Sequence, residues 1–347
     1  MRDVLAYTRI LLLTEGHLGV FTSKTAVALL RYRGDDVVAV IDSAFAGRPL
    51  PDIIAGAPSR PILPDVAAAR ELRPDALFVC IHPTGGALPA EFRAQIAAAL
   101  RLGMDVVSGL HARLTDDEEL VRIASGSGAH LIDLRRPPAE RCVAAGRARS
   151  TRCRRVLTVG TDCNVGKMVA AVELTRAARA RAIDARFVAT GQTGMMISGT
   201  GVAVDAVVAD FAAGAVERAV LDAGDSDLCV VEGQGSIGHA GFSGVTLALL
   251  HGVCPDAMIL VHHAGRTHHK SPPHSPLPPL RDQWRAYELL AGLLHPARIV
   301  GVALNTYGVS DNVARDERRR IEEEFGVPVT DPLAEGCEPL LDAVLCS

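Results

Sequence analysis

Short, almost unbroken apolar runs recur along this chain, separated by polar turns and amphipathic stretches. Arg9–Thr14, Val37–Asp42, Ala76–Ile81, Asp105–Ser108 and His130–Leu134 are the first series. An antiparallel strand with one wet face would alternate apolar and polar residues. Unbroken runs predict strands covered on both faces, as in parallel sheets. Between them, Ser23–Tyr32, Val66–Leu72 and Pro89–Leu102 carry helical spacing, and Pro51–Pro64 reads as a proline-punctuated connection. Thr115 is placed to cap the next helix, with Glu118 completing a capping box. After Arg135-Arg136-Pro137-Pro138 a second alternating series begins at Arg155 and runs to Val327–Thr330. Two α/β domains are predicted, each a parallel sheet layered with helices.

In the first series the order is strand, glycine turn (Glu15-Gly16-His17-Leu18-Gly19), helix, strand, and then an acid, Asp42. That is Rossmann-like order, although G-x-G-x-x-G is incomplete, so Asp42 is a weak ribose ligand and a good strand-end turn residue. The loop His82-Pro83-Thr84-Gly85-Gly86 follows a strand's carboxyl end, where α/β sheets bind ligands. The second series opens with Arg155–Val159, then Gly160-Thr161-Asp162-Cys163-Asn164-Val165-Gly166-Lys167-Met168, then a helical run. Strand, glycine-bounded loop, Gly-Lys and helix is the layout in which backbone N–H groups cradle phosphate and a lysine meets the outer phosphates. The spacing is one residue longer than the plain motif, and Met168 stands where Ser or Thr ordinarily ligates Mg²⁺. The expected architecture is a Rossmann-like N-terminal parallel-sheet domain over 1–140, a linker over 141–154, and a P-loop NTPase-like α/β domain over 155–347.

Composition narrows the class. The 347 residues are 48% hydrophobic with 32 glycines and 4% aromatics, which suits an Ala/Val/Leu core with many turns. A net charge of -4 gives no nucleic-acid surface. The arginines at 147, 149, 152, 154 and 155 form one basic run, expected to solvate the linker. Eight scattered cysteines without C-x-x-C pairs fit a reduced cytoplasm. No stretch approaches the roughly 20 apolar residues of a membrane span. A cytoplasmic homo-oligomer acting on a small molecule is expected.

Candidate chemistry gathers at strand ends of the second series. Asp227-Leu228-Cys229-Val230-Val231-Glu232 ends in the carboxylate a Walker-B element needs. With Met168 lacking an oxygen, any Mg²⁺ would fall to Asp162, Asp205 and Glu232. Asp205 also suits a helix start. Thr190, Gln192 and Thr193, in Thr190-Gly191-Gln192-Thr193-Gly194, offer groups for substrate oxygens, as do Gln234 and Ser236. His239 lies among small residues and is a candidate general base. Ser243 nearby lacks a third partner and a G-x-S-x-G setting, which disfavours a serine hydrolase. Arg266, at a strand's carboxyl end, suits bidentate capture of a carboxylate or phosphate. The doublets His262-His263 and His268-His269 do not have tetrahedral ligand spacing. The proline-rich 271–279 segment reads as a surface flap. Asn305 ends a late strand, where P-loop folds place an asparagine near the nucleotide base.

Two resemblances bear on function. Gly-Thr-Asp-x-x-Val-Gly-Lys resembles the phosphate loop of dethiobiotin synthetase and related ligases. The wider text, spread over most of the chain, resembles the D-glutamate N-acetyltransferase-like family. It comprises His82–Gly86, Gly109-Leu110-His111, Gly160–Cys163 with Val165–Met168, Thr190–Gly194, Val231–Ser236, Ser243–Val245, Gly265–His268 and Asp331-Pro332. That family implies a Rossmann-like domain and a P-loop domain, with acetyl transfer from acetyl-CoA to the amino group of D-glutamate. His268 enters the expected substrate set with Arg266 through this match. The sequence departs from the family at His269-Lys270, where Met or Arg is usual, and in its His/Pro-rich 270–280 segment. The competing expectation is an ATP- and Mg-dependent amide-forming ligase, with Lys167 and Glu232 serving the nucleotide.

Overall fold

The computed structural model describes residues 3–81, 88–271 and 274–347. The expected ligand loop at 82–86 lies outside them. The chain folds into two compact units: residues 1–136 with 195–206, and 137–194 with 207–347.

The first unit carries strands β1 (Ile10–Leu13), β2 (Val37–Ile41), β3 (Ile62–Leu63), β4 (Ala76–Val79), β5 (Asp105–Ser108) and β6 (Leu131–Asp133). They form one parallel sheet in the order β3-β2-β1-β4-β5-β6, the doubly wound Rossmann order. Leu11 pairs with Ala39 on one side and Leu77 on the other. Helices α1 (Lys24–Tyr32), α2 (Ala90–Arg101) and α3 (Glu118–Ser127) cover it. Phe92, Ile96 and Leu100 bury one face of α2 against Leu77 and Val106. Each such side chain contributes about 1.5–3 kcal/mol, and Phe92→Ala would cost about 3–5 kcal/mol.

β3 hides in the proline-rich connection, because a two-residue edge strand has no periodicity to read. Asp117, not Thr115, caps α3, accepting from Glu119 N at 3.0 Å and Leu120 N at 3.1 Å. Thr115 is captured instead by Asp133, through a 2.7 Å bond from its hydroxyl. Asp42 is fully buried and already accepts from Thr14 Oγ1 (2.8 Å) and Leu18 N (3.2 Å), so it pins the β1 loop rather than facing a ribose.

The second unit carries β7 (Arg154–Gly160), α4 (Lys167–Ala180), β8 (Ala185–Val188), α5 (Gln192–Ser198), α6 (Ala209–Asp222), β9 (Leu228–Val231), α7 (Ser243–Val253), β10 (Ala257–His263), α8 (Leu280–Gly292), β11 (Arg298–Asn305), α9 (Asp311–Phe325), β12 (Val329–Thr330) and α10 (Glu338–Cys346). Its sheet order is β12-β11-β10-β7-β9-β8, all parallel, with β7 central between β10 and β9. Helix α5 carries the chain out to the first unit. Residues 137–153 belong to this second unit rather than standing free. Buried Glu217 of α6 accepts from Ala145 N at 3.2 Å and Arg147 N at 2.6 Å. Within the basic run, Arg155 is buried against Asp256 at 2.6 Å, while Arg152 stays exposed.

No helix among the described residues is long and apolar enough to cross a membrane.

Candidate functional site

The central strand β7 delivers its carboxyl end to the loop 161–166, and α4 starts at Lys167. Asn164 and Gly166 take positive φ (58° and 112°), the left-handed backbone that a tight anion-cradling turn uses. Side chains from elsewhere in the unit hold this loop. Tyr287 Oη donates to the Gly160 carbonyl (2.8 Å), Asn305 Nδ2 to the Val165 carbonyl (3.0 Å) and Arg266 Nη1 to the Cys163 carbonyl (3.0 Å). Thr161 Oγ1 meets His262 Nδ1 at 2.9 Å, and His262 Nε2 meets Glu317 at 3.0 Å. That bond to His262 is the chief reason the Glu317 carboxyl is held down at about 2.

Lys167 is buried, and its Nζ donates to the Asp162 carbonyl at 2.8 Å. Burial pushes the ammonium below its ordinary range, which primes it to gain from an incoming anion. Its stem runs between two glycines. A Cβ on Gly160 would meet Lys167 Cδ and Nζ at 3.0 Å, and one on Gly233 would collide with the Thr158 carbonyl. These glycines are therefore required by close approach. Met168 sits in the first turn of α4 and brings only a thioether.

Glu232, just past β9, is buried beneath the loop after β8. Its Oε2 accepts from Thr190 N (3.0 Å) and Gly191 N (3.2 Å), and its Oε1 from Gln234 Nε2 (3.0 Å). Thr190 Oγ1 returns a 2.6 Å bond to the Glu232 carbonyl. Burial outweighs these bonds and raises the Glu232 carboxyl to about 7. Thr190, Gln234 and Glu232 thus form one internal network, with both carboxylate oxygens engaged. Gln192 and Thr193 open α5. Ser236 is fully buried near the residues that Tyr287 spans, where Ile237 N donates to Tyr287 Oη at 3.0 Å. Asp205 folds with the first unit and its carboxylate pairs with Arg135.

The segment after β10 doubles back as a hairpin: His268 bridges Pro276, Leu277 N donates to the Thr267 carbonyl at 2.8 Å and His269 N to the Ser275 carbonyl at 2.9 Å. Alternation across this bridge turns His268 outward and His269 inward. This segment then brings three donors to Asp162: His269 Nδ1 at 2.9 Å, Lys270 N at 2.8 Å and Arg266 Nη1 at 3.1 Å. Burial works against the charge, but the bonds from Lys270 N, His269 and Cys163 N keep the carboxyl below its usual value. His239 packs edge-on against His269, ring centroids 4.7 Å apart at 73°. Donor atoms of Asp162, His239 and His269 lie within 4.8 Å of one another, all three residues buried. They come from three distant segments, so no spacing in the sequence announces them.

A doubly wound Rossmann-like unit, joined to a parallel-sheet unit with a P-loop-like turn after its central strand, defines a two-part α/β scaffold. Residues 142–341 match the P-loop domain of a domain of unknown function (DUF1611_C), and residues 43–137 match its Rossmann-like domain (DUF1611_N). The chain belongs to this DUF1611 family. A crystal structure of a DUF1611 family protein from Anabaena variabilis is 42% identical, with a TM-score of 0.93 over 98% of this chain and 100% of that one. A D-glutamate N-acetyltransferase from a Pseudoalteromonas species is 40% identical over 264 residues, 76% of this chain and 79% of the relative. Another from Tritonibacter scottomollicae is 39% identical over 269 residues, 77% and 80% of the two chains. By this kinship the chain is an enzyme of the N-acetyltransferase class.

Proposed function

We propose that this enzyme transfers the acetyl group of acetyl-CoA to the amino group of an amino acid, with D-glutamate as the expected acceptor. The observation that carries this reading is the 40% identity, over 76% of the chain, to a D-glutamate N-acetyltransferase. The site supports it. CoA contains a phosphorylated ADP portion, and the loop 160–167 keeps its N–H groups and Lys167 for such phosphates. The oxygen ligands that nucleotide hydrolysis would need are committed elsewhere: Met168 has none, Glu232 is bonded to Thr190, Gly191 and Gln234, and Asp205 pairs with Arg135. A loop of this kind suits a carrier that is held by its phosphates and reacts at its far end. Arg266, anchored by one nitrogen to Asp162 and Cys163, supplies the cation for the acceptor's carboxylate.

The test separates this reading from the ligase. The protein is incubated with D- and L-amino acids and either acetyl-CoA or ATP with Mg²⁺. Free thiol released only when amino acid is present supports acetyl transfer. ADP or phosphate released with amino acid, and no thiol, replaces it with the ligase.

A further inference from the structure

We propose that His269 is the general base of this site and that Asp162 is its positioning residue. The inference rests on the acetyl-transfer reading above and names the group that takes the acceptor's proton.

Asp162 is wholly buried, and Oδ2 accepts from Lys270 N and Arg266 Nη1 at 2.8 and 3.1 Å. An acid held ionised by these donors can only accept. The proton in the 2.9 Å contact between His269 Nδ1 and Asp162 Oδ1 therefore belongs to the imidazole. In the neutral ring that fixes the tautomer and leaves the Nε2 lone pair free. No described residue hydrogen-bonds His269 Nε2. A carboxylate behind one ring nitrogen and a bare lone pair on the other is the arrangement of a working imidazole base.

His239, the base expected from sequence, has the opposite tautomer imposed on it. Its Nδ1 accepts from Gly241 N at 3.1 Å, so Nε2 carries the hydrogen and points at the Ser271 carbonyl, 3.4 Å away. With its lone pair used, His239 serves as the wall that holds the His269 ring edge-on.

The acceptor's amine nitrogen attacks the thioester carbonyl carbon, and a C–N bond forms. His269 Nε2 receives the amine's proton, and Asp162 stabilises the resulting imidazolium. The C–S bond breaks, and the departing CoA thiolate takes that proton back, which leaves free thiol, N-acetyl amino acid and neutral His269.

The test measures thiol release from acetyl-CoA and D-glutamate by wild type, His269→Gln, His269→Ala, His239→Gln and Asp162→Asn. Proton transfer of this kind contributes about 10²–10⁴-fold. Expected results are a kcat loss of that size in both His269 variants, with each KM within a few-fold, and loss of the acidic limb of the pH–rate profile. Added imidazole should restore part of the rate to His269→Ala, and His239→Gln should keep the acidic limb. Histidine ¹⁵N spectra of the wild type, which need no variant to fold, should show His269 protonated at Nδ1. The assignment is overturned by His269→Gln retaining kcat within a few-fold, by a His269 ring protonated at Nε2, or by an acidic limb that follows His239 instead. It is also overturned if the purified protein holds a stoichiometric divalent metal whose chelation abolishes activity, since His269 Nε2 would then be a ligand. Wild type inactive towards every amino acid would remove the acetyl-transfer reading and this assignment with it; an active wild type with a His269 variant of equal rate removes the assignment alone.

Discussion

Asn305 and Val165 are joined by a 3.0 Å hydrogen bond from the amide Nδ2 to the carbonyl, which ties the end of β11 to the phosphate loop. The amide's Oδ1 is engaged too, accepting from Tyr307 N at 3.0 Å. The amide expected to lie near a nucleotide base thus also braces the loop. Losing a neutral bond of this type costs about 1 kcal/mol, roughly a fivefold change in an equilibrium constant. Asn305→Ala should raise the Kd for CoA by about fivefold and leave kcat nearly unchanged. Calorimetric titration checks this, and an unchanged Kd would contradict the bracing role.

Lys167→Met keeps the stem that packs between Gly160 and Gly233 and deletes the buried ammonium. Because burial is the main force lowering that ammonium's pKa, the variant should melt no lower than wild type. Its affinity for adenosine 3′,5′-bisphosphate should fall by about tenfold or more, since hydrogen bonds to charged groups are worth about 1.5–3 kcal/mol. A melting curve and a titration give both answers.

Glu232 carries a pH signature. Its carboxyl is raised from an ordinary 4.5 to about 7, with burial the leading cause. In the folded protein it stays protonated where the unfolded chain has ionised, so stability falls as pH rises between about 4.5 and 7. The shift of about 2.5 corresponds to a loss on the order of 3 kcal/mol across that window. Glu232→Gln can keep the bonds from Thr190 and Gly191. The variant should therefore gain in melting temperature relative to wild type as pH rises from 5 to 8. A difference constant over that range would refute the assignment.

Glu317 has the opposite sign. The bond from His262, with Arg320 assisting, holds its carboxyl at about 2 against an ordinary 4.5. Its contribution is complete above about 4.5 and is lost as pH falls toward 2. His262→Gln should therefore destabilise the protein most at neutral pH, and the gap from wild type should narrow between pH 4.5 and 3. Melting curves at several acidic pH values test this.

The strand and helix alternation was legible because strands covered on both faces read as unbroken apolar runs, and the phosphate loop because strand, glycine, Gly-Lys and helix are contiguous. β3 was not, since Ile62-Leu63 is too short for a period. The cap of α3 was misplaced because a tertiary partner, Asp133, drew Thr115 away. Met168, Glu232 and Asp162 stand out as residues in the sequence, but spacing does not reveal their bonding. Glu232 is turned inward by N–H groups of another strand's loop, and Asp162 meets His269 only because a hairpin folds back. The family resemblance points to His268 and is silent on His269; a single bridge to Pro276 decides which of the two faces inward.

Residues 195–206 fold with the first unit, where Met196, Ala203 and Val204 are buried and the Met196 carbonyl accepts from Arg33 at 3.0 Å. Neither half of this enzyme is consequently one continuous piece of gene. During synthesis, amino-terminal domains usually finish first. Here the six strands of the first sheet have all emerged by Asp133, yet the last segment of their unit leaves the ribosome only at residue 206, after the loop 161–166 and α4. The nascent chain must wait, half-clothed, for its own later text, and a cut anywhere between 137 and 194 would part the first half from a piece of itself.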